Sequence, residues 1–336
     1  MDGLVFWQTL WFFILILLFF IYSLLDGFDL GIGILLPFFS RKENSASRLL
    51  KSVTPFWDGN ELWLLNGAVC VFAVFPPAFR TVLSGFYLPV ILLALFFILR
   101  AVSFEFYFRD IERRQFWGVA LAFCSFMIVF MGSLTLANLT IGIPLDGNGE
   151  FKGNILSLFR IFPAIIALLA VTAAMLHGMS YAAGRTDGGL KKDVLKVSTV
   201  LCIVLCAGLI LFVPAILIFF KQEVYNPGIW AGLLISFLAL LAFGFMLRKG
   251  WDKLILWMSS LFIAGLWIAV ASAMFPNLIR AGNNPANSIT IYNASSPLST
   301  LTFMTYLLFI GIILILLYTL TVYRIFRGRT KDIEDY

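Results

Sequence analysis

Nine apolar runs follow one another along these 336 residues, separated by short polar breaks. Each is long enough to cross roughly 30 Å of hydrocarbon. In such a medium every backbone amide must find its partner inside the chain, which leaves helices or a closed barrel. Runs of this length select helices. The spans read as 5–38, 56–75, 80–103, 116–140, 160–182, 195–220, 228–247, 253–275 and 300–324. The expected fold is all-α and polytopic, with residues 1–336 forming a single transmembrane domain. Composition agrees: 61% of residues are hydrophobic and 12% charged, where a soluble domain is about half apolar and a quarter charged.

The second span is the weakest, because its first turn carries Asp58, Asn60 and Glu61. Charge placement supports it. With nine spans, the breaks at 41–51, 100–114, 185–196 and 248–253 and the tail from 324 share one side and hold 19 Lys or Arg. The other side holds five: Arg80, Lys152, Arg160, Lys221 and Arg280. Basic residues mark the cytoplasmic side, so the amino terminus is expected outside and the carboxy terminus in the cytoplasm. The net charge of +6 reports this orientation; without a basic stripe or motif it does not point to nucleic acid. Met1-Asp2-Gly3 lacks a basic n-region and no small-residue cleavage site follows, so no removable leader is expected. The loops 141–159 and 277–299 are polar but too short for a soluble domain.

Within this apolar background the acids stand out. Asp26 and Asp29 interrupt the first span, and Asp58 and Glu61 open the second. A carboxylate near hydrocarbon depth is costly, so such groups pair, line a wet cavity or relay protons. At 1.5 Å per residue Asp26 lies roughly 30 Å below Val5, near the cytoplasmic edge. Asp58 enters from the same side, and Arg100 and Glu105 end the third span there. Two readings stand side by side. One is a polar clamp between helices, with Arg100, Glu105 and Glu61 as ion-pair candidates. The other is a proton entrance from the cytoplasm. Gly27 and Gly31 would let another helix pack closely beside the acids.

Other chemistry is sparse. The one histidine, His177, cannot supply a bis-histidine haem site, and its plainer reading is a hydrogen-bonded packing residue. Cys70, Cys124, Cys202 and Cys206 all sit inside spans, without a redox or zinc spacing. No phosphate loop, dinucleotide fingerprint, nucleophile elbow or metal set is present. The chain either moves something or supports a partner that reacts.

At Asp26-Gly27-Phe28-Asp29-Leu30-Gly31-Ile32-Gly33, at Pro55-Phe56-Trp57-Asp58-Gly59-Asn60-Glu61-Leu62-Trp63-Leu64, and at Ser84-Gly85-Phe86-Tyr87, the chain resembles subunit II of the cytochrome bd quinol oxidases. Ala273-Met274-Phe275-Pro276 and Leu316-Leu317-Tyr318-Thr319 look similar too, while the two long outer loops match least. The resemblance implies two four-helix bundles plus one peripheral helix. It also implies a pseudo-symmetric heterodimer with a subunit I that holds two b-type haems and one d-type haem. Subunit II of that family carries no haem. The complex oxidises quinol and reduces oxygen to water in a bacterial inner membrane. Some members hold a structural quinone, and small single-helix subunits are further candidate partners beside lipid. The family's proton path, carried over, falls on Asp29 and Asp58, with Asp26 and Trp63 beside them. Glu61 and His177 stand where some relatives have glutamine. The competing readings are a stand-alone proton-coupled transporter, which would place polar groups nearer the midplane, and a passive assembly subunit.

Overall fold

A computed structural model describes residues 2–40, 44–219 and 225–326. Of the basic residues used above for orientation, Arg41, Lys42, Lys221, Arg327, Arg329 and Lys331 lie outside these segments. The chain is almost entirely helical: α1 (Asp2–Phe39), α2 (Ser45–Lys51), α3 (Trp57–Val74), α4 (Pro76–Gly85), α5 (Tyr87–Arg109), α6 (Arg114–Ile141), α7 (Ile161–Arg185), α8 (Gly188–Phe219), α9 (Pro227–Lys249), α10 (Ile255–Met274) and α11 (Leu298–Ile325). Eight of these described helices are each long and apolar enough to span a membrane, and α3 with α4 can make a ninth span.

The α3–α4 pair differs from the expected spans. The chain bends by 115° between them, because Pro76 and Pro77 cannot extend α3 but suit the first turn of a new helix. The third span therefore begins at Tyr87 rather than 80. A second difference lies in the first basic break. There α2 buries Leu49 and Leu50 under the end of α1, while Arg48 on the same helix reaches Asp187 at 2.8 Å. The α5–α6 turn is closed by Asp110, which accepts from the Trp117 indole at 3.0 Å and the Arg113 amide at 3.1 Å. The indole bond, the larger cause, holds the Asp110 carboxyl below its ordinary range.

α1 is the hub. It packs on α3, α6, α7 and α10, and touches α2 and α11; α6 and α7 also pack on each other. α5 pairs with α6, α8 with α7 and α9, and α10 with α9. One apolar core takes Ile32 and Leu36 from α1, Leu121 from α6, Leu176 from α7, Phe243 from α9 and Phe262 from α10. α11 is peripheral, burying little beyond Leu301, Met304 and Leu308. The α1–α7 crossing depends on two glycines. A Cβ on Gly31 would overlap the Ala174 carbonyl, and one on Gly178 would fall 2.7 Å from the Ile32 nitrogen. The close packing expected of Gly31 is thus realised against α7. Gly27 instead lies against the His177 ring.

The two long polar loops fold against each other. Strands β1 (Asn277–Ile279) and β2 (Ile289–Thr290) pair antiparallel. Asn283 exchanges two hydrogen bonds with the Leu145 backbone, at 3.0 and 2.8 Å. Ile143, Leu145, Ile279 and Ile291 are buried beneath, so the loops cap the bundle as one packed layer.

Candidate functional site

Three helices bring charge into the interior. Asp26 on α1 is fully buried, and Arg100 on α5 is 1% exposed. The guanidinium grips both carboxylate oxygens, Nη2 to Oδ1 at 2.7 Å and Nη1 to Oδ2 at 3.2 Å. Nη1 also donates to Glu61 Oε1 at 2.7 Å, linking α3. A fork-on-carboxylate pair is among the stronger charge-assisted geometries, and a buried one is stable only while its members remain together. Glu61 is 24% exposed, so this triad reaches from the core toward the surface.

Asp29 lies one turn further along α1 and is nearly as buried. Its Oδ2 accepts from Asn60 Nδ2 at 2.7 Å. Asn60 also donates to the Leu25 carbonyl at 3.2 Å, fastening α3 to α1. The other oxygen, Oδ1, is buried with no hydrogen-bond partner among the described residues. Trp63 Nε1 and the Tyr323 hydroxyl are among the other buried polar atoms in that condition. Aromatic rings from α1, α7, α11 and the residue before α3 pack close by. Phe28 stacks on Tyr181 at 4.2 Å and Phe56 on Tyr323 at 4.1 Å. The Arg185 guanidinium lies over the Phe56 and Tyr181 rings and donates to the Phe326 carbonyl.

Asp58 sits in the first turn of α3 with its side chain exposed. It is on the same helix face as Leu62, Leu65, Val69 and Phe72, which are also exposed. An acid therefore stands at the amino-terminal end of an exposed apolar stripe on α3. Glu105 is not part of the cluster. Its side chain is 53% exposed and pairs with Arg109 on the surface of α5. His177 is buried with both ring nitrogens engaged, Nδ1 with Ser259 Oγ at 2.8 Å and Nε2 with the Leu24 carbonyl at 3.0 Å. A carbonyl only accepts, so Nε2 carries the hydrogen there. Among the described residues no group of three His, Cys, Asp or Glu is arranged to hold a metal ion.

The sites therefore separate. Arg100, Asp26 and Glu61 form a closed ion triad, whereas Asp29 keeps one oxygen unsatisfied beside it. Sequence reasoning missed Asn60, Tyr181, Arg185 and Tyr323 as neighbours of the acids. Asn60 was within reach, since it lies in the same turn as Asp58 and Glu61.

Residues 7–326 match the family model described as cytochrome bd terminal oxidase subunit II. The chain belongs to that family. It is similar to cytochrome bd ubiquinol oxidase subunit 2 of Bacillus subtilis, 27% identical over 299 residues and 86% of each chain. It is similar also to cytochrome bd-I ubiquinol oxidase subunit 2 of Escherichia coli K12, 26% identical over 356 residues and 93% of each. In fold it resembles the bd oxidase structure from Geobacillus thermodenitrificans, with a TM-score of 0.78 at 16% identity, covering 96% of this chain and 98% of that one. This bd-type subunit II is thus an all-α, multi-pass inner-membrane component of a terminal oxidase. The stand-alone transporter is set aside.

Proposed function

We propose that the chain is a haem-free subunit that braces a haem-bearing subunit I and admits protons from the cytoplasm for the reduction of oxygen to water. The observation that carries the proton role is the buried, unpartnered Oδ1 of Asp29. A carboxyl oxygen without a donor in a low-dielectric interior is a place where a proton or a water is welcome. The closed Arg100–Asp26–Glu61 triad takes the clamp role, so relay falls to Asp29, with Trp63 nearby in α3. Asp58, at the inner end of the exposed α3 stripe, is the entrance, and that stripe is where subunit I docks. The expected partner is pseudo-symmetric with this chain and holds two b-type haems and one d-type haem, with quinol as the reductant. The orientation follows the basic residues: the helix ends carrying Arg109, Arg185, Lys191 and Arg248 share one side, which is the cytoplasmic one.

The residues here do not fit an axial haem ligand. His177 is buried and both of its nitrogens are already held within the protein. Replacing His177 by alanine leaves the Leu24 carbonyl without that donor. A cost of about 1–3 kcal/mol is expected for a buried group so orphaned, read as a lower melting temperature of the purified complex. Haem content per complex should not change; its loss would show that this chain holds a haem after all.

Asp58→Asn tests the entrance. Oxygen consumption should fall several-fold while haem content and the amount of assembled complex stay at the wild-type level, and Asp58→Glu should restore most of the rate. Undiminished turnover in Asp58→Asn removes Asp58 from the path.

A further inference from the structure

We propose that the groove between α8 and α9, at their basic end, is a binding site for a single anionic phospholipid. α8 begins and α9 ends at this side, and between them lies a cavity of about 440 Å³. That volume is within the range of roughly 300–1,000 Å³ typical of small-molecule sites. Lys192 and Lys196, one turn apart on α8, and Arg248 on α9 line its mouth. All three side chains are exposed. Other cations nearby are already engaged: Lys191 pairs with Asp252 at 2.7 Å and Lys249 lies over the Phe245 ring. No carboxylate of the described residues forms an ion pair with Lys192, Lys196 or Arg248. Three positive charges with no ion pair among the described residues thus surround one opening.

Leu195 and Leu247 lie beside the cations, and deeper the groove is lined by Thr199, Cys202 and Ile203 of α8 and Gly244 of α9. At Gly244 an added Cβ would meet nothing within 4 Å, so the missing side chain leaves the groove open on the α9 side. From Lys192 to Ile203 the helix descends eleven residues, about 16 Å at 1.5 Å each. A soluble anion would use only the mouth of such a groove. A neutral apolar molecule would leave the three cations unanswered. An anionic head with an acyl body meets both parts, because basic clusters beside a membrane attract acidic headgroups and the apolar wall buries chain. The site lies on helices remote from the acid cluster, so it stands independently of the proton path.

The test uses the intact oxidase complex in detergent, given phosphatidylglycerol or phosphatidylcholine with a photoreactive acyl chain. Phosphatidylglycerol is expected to label the peptides of α8 and α9 around Ile203 and Leu247, in preference to phosphatidylcholine. Lys192→Gln, Lys196→Gln and Arg248→Gln should each weaken labelling, about fivefold per cation removed. These side chains are exposed, so the variants are expected to fold. Gly244→Phe should block labelling with every charge in place. Inorganic phosphate, at matched ionic strength, should not compete. Equal labelling by the two lipids, or labelling undiminished when all three cations are replaced, overturns the proposal. So does displacement by inorganic phosphate, which would mark a soluble-anion site instead.

Discussion

Replacing Arg100 by leucine is expected to abolish most of the assembled oxidase in the membrane. The substitution leaves Asp26, which has no exposure, without its bidentate partner, and takes the buried end of the Glu61 bridge with it. Breaking a buried ion pair by removing one member costs about 3–5 kcal/mol, set against a total stability of about 5–15 kcal/mol for a typical protein. Arg100→Lys should recover only part of the loss, since a single ammonium cannot reproduce the fork that engages both Asp26 oxygens. The decisive comparison is the double variant Asp26→Leu, Arg100→Leu. Exchanging a whole buried pair for apolar side chains is often close to neutral, so assembly should rise above that of either single variant. Native gel electrophoresis and thermal melting of the purified complex measure both effects. Wild-type assembly and melting in Arg100→Leu would show that the triad is not a clamp.

The second large effect is expected at Asp29. Asp29→Asn keeps the shape of the side chain and a contact to Asn60, but removes the group that takes up and releases a proton. A positioned proton-transfer side chain is commonly worth a factor of about a hundred or more, so oxygen consumption should fall about a hundredfold. Haem content and assembly should stay near the wild-type level, because among the described residues Asp29 makes a single side-chain bond, to Asn60. This outcome separates relay from clamp. A variant that loses assembly together with activity would make Asp29 a second structural acid, and one that turns over normally would end the relay assignment.

The acids were legible because charge inside an apolar run has few explanations, and the helical rise alone brought Asp26, Asp58 and Arg100 to one depth. Which acid Arg100 would take was not legible. Residues turn about 100° per step around a helix, so Glu105, five positions on, faces away from Arg100 by about 140°. It accordingly lies on the surface with Arg109. Asn60 was noted only as a polar residue in the second span's first turn, yet it ties Asp29 to α3. The α4 bend was signalled by Pro76 and Pro77 but hidden by the apolar residues on either side, which hydropathy reads as continuous. The packed loop cap was missed for the opposite reason. Its contacts run between loops distant in sequence, such as Leu145 with Asn283, and local composition contains no trace of such a pairing.

Hydrophobic run length and the side on which Lys and Arg collect are local properties, and they were enough to specify a multi-pass helical chain with acids near one face. The division of those acids depends on how α1, α3 and α5 are rotated against one another, and that rotation is set by side-chain packing and by the glycine crossing of α1 with α7. Only once the three helices are docked does one carboxylate meet Arg100 through both oxygens while its neighbour, a single turn away, retains an oxygen with no donor among the described residues.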